Sequence, residues 1–270
     1  EIAQNTETTP EVSHADTNVT TEVIPNNVPN KYTDDYNGVE IKNGTNYNLT
    51  EDILNCDNLD FNKKDIMIFH THTCESYTPT EQYSYEGTGT FRSTDLNYSV
   101  VKVGDVLTEQ LQSYGFNVVH DKTYHDYPAY SGSYGRSQAT VKNLLNSHAG
   151  TDIIIDLHRD AIGDTSYAPS VKIGDEVVSQ LMFVIGTDGG GLEHPNWKEN
   201  LKFAIKVQEK ANELYPGLFR PILLRNSRYN QQLGKAACII EVGATGNTLE
   251  QSMGSMKYLS KILDEVLKSL

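Results

Sequence analysis

Two imidazoles and a carboxylate fall within one short stretch, His70-Thr71-His72-Thr73-Cys74-Glu75. The four residues before it, Ile66-Met67-Ile68-Phe69, are apolar and read as a short buried strand. A strand that ends in His/His/Glu fixes the backbone and turns polar side chains toward a cleft, a natural setting for a metal. His72 and Glu75 form His-x-x-Glu, which supplies two zinc ligands from one turn of chain. His70 and His72, two apart on an extended chain, point the same way and compete for one ligand position. The His-x-x-Glu spacing favours His72 and leaves His70 to cap the loop or to orient a ligand from behind. A second apolar run, Asp152–His158, ends in His158, and a third, Ala237–Gly243, carries Glu241 near its end. His72, Glu75 and His158 make the three-ligand set of a catalytic zinc with one position open for water. Such a metal would acidify the water and polarise a scissile carbonyl. Glu241 is the candidate base that takes the water proton and returns it to the leaving nitrogen. Its bland alternative is an ion pair with Arg159 or Arg228. His14, His120, His125 and His194 have no comparable context.

The elements that must position these residues follow from periodicity. Ser99 to Tyr114 has apolar residues at Val100, Val103, Leu107 and Leu111, the spacing of an amphipathic helix, and Gly115 ends it. Further helices are expected over Ser137–His148, Trp197–Leu214 and Gln251–Leu270, with a short capped one near Asn48–Leu54. Strands are expected at Ile66–Phe69, Phe116–Val119, Asp152–His158, Leu181–Ile185 and Ala237–Gly243, with a hairpin around Gly174-Asp175. Strands alternating with helices imply an α/β domain, a mostly parallel sheet flanked by helices. In such sheets functional groups gather at the carboxyl ends of strands, where His70, His72, His158 and Glu241 all fall. Residues 73–97 are polar and aperiodic, a long loop beside the metal.

Bulk properties exclude some partners. The net charge of −14 over 270 residues rules against nucleic acid, whose phosphates need a basic surface. It also disfavours electrostatic attachment to anionic lipid. Three cysteines do not make a disulfide framework, and no apolar run approaches the length of a membrane span. Residues 1–46 are rich in Thr, Asn, Glu and Pro and read as a flexible tether, with the catalytic domain over 47–270. The chain opens on Glu1 and not Met, as expected if an upstream leader or anchor has been removed.

Four motifs together carry a resemblance: His70-Thr71-His72-Thr73-Cys74-Glu75-Ser76-Tyr77, Asp156-Leu157-His158-Arg159-Asp160, Tyr229-Asn230-Gln231 and Ile240-Glu241-Val242-Gly243. The chain from about Lys64 onward resembles the stage II sporulation protein P family, related to zinc-dependent N-acetylmuramoyl-L-alanine amidases. The ligand spacing is also similar to that of zinc carboxypeptidases, whose fold is alike. The wider amidase family takes its glutamate ligand from the start of the helix that begins here near Asp95; Ser93 and Thr94 stand there, and Glu75 is the substitute. The resemblance implies removal of stem peptides from peptidoglycan during forespore engulfment, with endopeptidase activity on cross-links. It implies a partner, the lytic transglycosylase stage II sporulation protein D. It also implies an N-terminal membrane anchor upstream, and a catalytic domain outside the cytoplasm between the two septal membranes. Tyr77, Tyr83, Tyr85, Tyr124, Tyr127, Tyr130 and Tyr134 are then candidate walls of an open groove, and Arg159 and Arg228 candidate grips on a stem-peptide carboxylate. The rival expectations are a zinc carboxypeptidase-like cell-wall peptidase and a non-catalytic peptidoglycan-binding module.

Overall fold

The alternation of apolar strands and amphipathic helices produces a mixed sheet between helical layers in the computed structural model, which describes residues 12–26, 28–86 and 90–270. In chain order the elements are β1 (Thr21–Val23), β2 (Asp34–Tyr36), β3 (Val39–Asn43), α1 (Glu51–Leu54), β4 (Asp65–Phe69), α2 (Val100–Ser113), β5 (Asn117–His120), α3 (Ser133–Ser147), β6 (Ile153–Asp160), β7 (Ser170–Ile173), β8 (Glu176–Ser179), β9 (Leu181–Gly186), α4 (Trp197–Leu214), β10 (Ile222–Arg225), β11 (Ala236–Ala244) and α5 (Leu249–Ser269). The main sheet runs β2-β3-β10-β9-β11-β6-β4-β5, and β1, β7 and β8 form a small second sheet. All neighbours in the main sheet are parallel except β2 with β3 and β9 with β11. The antiparallel step at β9 brings the beginnings of β9 and β10 to the same edge as the ends of β4, β6 and β11.

The strands are continuous apolar runs because both faces are covered. One face carries Ile66, Ile68, Ile153, Ile155, Leu157 and Ile240 into the large core under α2, α4 and α5. The other carries Met67, Phe69, Ile154 and Ala237 against Val141 of α3. Two helix starts are capped by side chains. Ser99 accepts from the Val101 amide before α2, and Thr248 with Gln251 closes a capping box before α5. Gly115 at φ +91° ends α2 as expected. Among the described residues no helix is long and apolar enough to cross a membrane.

Three stretches of the expected tether over 1–46 take part in the sheets: Thr21–Val23 in the small one, Asp34–Tyr36 and Val39–Asn43 in the main one. Val39 and Ile41 are wholly buried, β3 runs parallel to β10, and β1 pairs with β7. Val23 also packs on Gly217, where a Cβ would come within 2.4 Å of its methyl group. Residues 1–11 and Asn27, part of the same expectation, lie outside the described residues.

Candidate active site

Three neighbouring parallel strands, β4, β6 and β11, converge at their carboxyl ends. Phe69 pairs with Asp156, and His158 pairs with Glu241. Directly paired residues share a face, and residues two apart on a strand do so too. Asp156, His158 and Glu241 therefore all stand on the α3 face. Beyond β4 the chain from His70 to Tyr77 is buried throughout. It is held by strand-like pairing with residues 91–93: the Ser76 amide donates to the Phe91 carbonyl and the Ser93 amide to that of Cys74. The long polar segment after the first motif thus folds back as the wall of the site.

His72 and His158 stand edge to face, ring centroids 5.2 Å apart. Glu75 Oε2 lies 3.6 Å from His158 Nδ1 and accepts from the Arg159 amide at 3.1 Å. These expected residues, with Glu241 as His158's cross-strand neighbour, share one buried locus. His70 does not join them. Its Nδ1 lies 2.8 Å from the Leu157 carbonyl and must donate to it, so Nε2 accepts from His120 Nε2, also at 2.8 Å. Burial, and next the neighbouring His120, hold His70 well below the usual histidine range, and it stays neutral. The bend after Phe69 breaks the extended geometry that would have aligned His70 with His72.

The electrostatics are those of a site short of positive charge. Burial disfavours charge on His158, but Asp156, Glu75 and Glu241 outweigh it and push its pKa up. Burial, then His158, pushes His72 down. Burial raises the Glu241 carboxyl, partly offset by His158. Three buried atoms here lack a hydrogen-bond partner among the described residues: His72 Nδ1, His158 Nε2 and Glu241 Oε2. His158 Nε2 lies 2.8 Å from Asp156 Oδ1 without the alignment of a hydrogen bond. Two imidazoles and a carboxylate are the donor types that zinc takes, with His158 deprotonated. Among the described residues, no group of three His, Cys, Asp or Glu side chains is drawn together tightly enough to hold an ion as it stands.

Asp156 and Asp126 were not anticipated here, and Tyr130 and Tyr134, expected as groove walls, instead contact His72. Asp156 accepts from the amide and hydroxyl of Thr71 at 2.7 and 2.6 Å while facing His158. A carboxylate two residues before His158 in an apolar run was the available signal. Asp126 is fully buried, receives the Cys74 amide, is paired with Arg92 at 2.5 Å and stands 4.0 Å from His72 Nδ1. Tyr130 stacks on His72 at 4.5 Å with its hydroxyl 3.1 Å from Nε2, and Tyr134 of α3 meets His72 edge-on. Asp126 and Tyr130 come from an aperiodic loop that carries no signal of its own.

Other expected residues are placed as follows. Arg159 is buried and occupied: Nη1 donates to Thr245 Oγ1 and Nη2 to the Phe91 carbonyl, which braces the site wall. Arg228 lines a separate shallow pocket with Leu192 and Tyr229 and donates to the Glu193 carbonyl. Tyr77 is buried in the core and is no groove wall. Tyr85, Tyr98, Tyr127 and Tyr130 line a cleft of about 500 Å³ that also contains Arg92 and Asp126. Asn230, at φ +61°, donates to the Tyr134 carbonyl and so ties the first turn of α3 to the sheet.

The model of the stage II sporulation protein P family matches residues 1–264. Stage II sporulation protein P of Bacillus subtilis (strain 168) is 27% identical over 215 residues, 76% of this chain and 51% of the relative. The chain thus spans about half the length of that relative. Among solved structures, the CwlD amidase of Clostridioides difficile, in complex with the GerS lipoprotein, gives a TM-score of 0.43 at 12% identity. That match covers 76% of this chain and 94% of the other. The N-acetylmuramyl-L-alanine amidase Ami1 of Mycobacterium smegmatis gives 0.44 at 12% identity, covering 77% and 100%.

Proposed function

The chain belongs to the stage II sporulation protein P family, and from that premise we propose that it is a zinc-dependent peptidoglycan hydrolase acting as an N-acetylmuramoyl-L-alanine amidase. The observation that carries the reading is the meeting of His72, Glu75, His158 and Glu241 at three adjacent strand ends, with buried polar atoms that have no hydrogen-bond partner among the described residues. His72, His158 and Glu75 are the residues that would hold zinc, which when bound supplies an acidified water and a polarised carbonyl. Asp156 faces His158 and fixes its ring. Glu241, its carboxyl raised by burial, takes the water proton and delivers it to the departing nitrogen. Tyr130 and Tyr134 shield His72 from solvent, and the tyrosine-lined cleft beside it receives the glycan or its peptide.

Digestion of purified sacculi, with and without a chelator, tests this. Mass spectrometry should find intact stem peptides with a free N-terminal alanine, released only when zinc is present. Cleavage inside the peptides would point to endopeptidase action instead. Glu241→Gln should lower the rate by about 10²–10⁴-fold with zinc content unchanged. A variant that keeps full activity would remove Glu241 from the role of base, and no release by the wild type with zinc added would sink the reading in favour of a binding module. Repeating the digestion with a lytic transglycosylase present tests the proposed dependence on stage II sporulation protein D.

A further inference from the structure

Arg220 is a buried cation with no part in the chemistry above. It stands just before β10, at the sheet edge shared by Glu241, and is 5% exposed. Its Nη1 donates to Asp160 Oδ2 at 3.0 Å and to Tyr167 Oη at 3.1 Å. Nε and Nη2 are buried and have no partner among the described residues. These two donors share one edge of the guanidinium, the fork that grips a planar carboxylate with two parallel hydrogen bonds. A buried donor left unmade is destabilising, more so on a charged group, and such an orphaned edge calls for an occupant.

Arg220 also lines a pocket of about 280 Å³ together with Lys31, Lys42, Met182, Leu223 and Arg225. Lys31, Lys42 and Arg225 are exposed at its mouth. Four cations thus gather around one carboxylate, Asp160, in a chain of net charge −14. Met182 pairs with Glu241 across β9 and β11, so the pocket adjoins the candidate active site. Met182, Leu223 and Ile162 add apolar wall to the pocket. They suit a carboxylate carried on an aliphatic chain.

We propose that Arg220 and this pocket form a subsite that binds a free carboxylate of the stem peptide, beside Glu241. This deepens the hydrolase reading and rests on it. The planar fork of Arg220 holds the carboxylate, and Lys42 and Arg225 draw it in from solution.

Calorimetry on the whole chain tests the subsite without requiring turnover. The ligands are a stem tripeptide with a free α-carboxylate on its second residue, the same peptide with that group amidated, and inorganic phosphate. The carboxylate peptide should bind at least tenfold more tightly than its amide, and Arg220→Gln should abolish the difference. Lys42→Gln/Arg225→Gln, at exposed positions, should weaken the carboxylate peptide a few-fold and reduce its salt dependence. Circular dichroism checks the fold of Arg220→Gln; if that variant is unfolded, the peptide–amide comparison on wild type and the surface double variant decide. Equal affinity for the two peptides, or phosphate binding more tightly than the carboxylate peptide, would overturn the proposal. Sacculus digestion without peptide discrimination refutes the subsite alone. Discrimination without digestion refutes the hydrolase reading alone.

Discussion

Replacing Gly104 by alanine should destabilise the protein, against the direction that helix propensity sets. Gly104 lies in the interior of α2, where alanine is ordinarily better by about 1 kcal/mol. A Cβ there would stand 2.6 Å from His120 Nε2, 2.8 Å from its Cε1 and 2.9 Å from His70 Nε2. Favourable contacts lie near 3.5–4.0 Å, roughly an ångström further out. The two rings cannot simply swing away, because His70 is anchored on the Leu157 carbonyl and hydrogen-bonded to His120. Overpacking of this kind costs about 1–3 kcal/mol, and a broken buried hydrogen bond that leaves its groups unsatisfied costs about 1–3 kcal/mol more. Set against the propensity gain, the expected net loss is about 3 kcal/mol. Urea unfolding followed by circular dichroism should show a lowered midpoint with an unchanged slope. Adding His120→Ala should recover part of the loss, because the clash and the missing ring are coupled. A Gly104→Ala protein as stable as wild type would refute the account of His70 and His120 as a fixed pair.

Three further outcomes are expected. Asp156→Asn keeps the shape beside His158 but removes its charge, and should weaken zinc binding about 10–100-fold in competition with a chelating dye; unchanged affinity would reduce Asp156 to a brace for Thr71. Arg92→Gln strands the buried Asp126 carboxylate and should cost about 3–5 kcal/mol of stability, with Arg92→Gln/Asp126→Asn regaining most of it in the same urea assay. Burial lowers the His120 pKa to about 4, with Asp105 opposing and Lys122 assisting. Since the folded value lies below the unfolded one, the unfolded chain takes up this proton first as pH falls. Stability from this residue is intact above about pH 7 and drains away between about 6.5 and 4, by about 3 kcal/mol in all. His120→Gln should flatten that part of the acid profile, and a variant profile parallel to wild type would contradict the assignment.

What could be read in advance follows a physical division. β4, β6, β9 and β11 are near-continuous apolar runs, and α2, α4 and α5 carry apolar stripes of helical period. Each is a local signal that tertiary packing reinforced. Because three of those strands end side by side, His72, Glu75, His158 and Glu241 meet as their positions along the chain suggest. β1 is short and polar and pairs with β7, and the β2–β3 hairpin joins the main sheet only where β3 meets β10; both partners lie far along the chain, which composition does not encode. The alternation Val39-Glu40-Ile41-Lys42 was a strand signal within the supposed tether, outweighed by the polar residues around it. The direction of His70, the approach of Asp126 and the ring of Tyr130 depend on how loops bend, and no periodicity reports a bend.

The pairing of β3 with β10 also sets a timetable. The hairpin of β2 and β3 leaves the ribosome early, yet Ile41 lies opposite Ile222, some 180 residues downstream. Until that partner emerges, Val39 and Ile41 have no core in which to be buried, and an unpaired strand of this kind invites foreign strands. The intervening polar residues, Glu40 and Lys42, put charge on that waiting strand. Assembly of the sheet thus closes with its earliest strand pair among the last to dock, a long-range step of the sort that slows folding. Synthesis rate and chaperone supply should therefore weigh more heavily on the yield of this protein than on that of a domain built from local pairings.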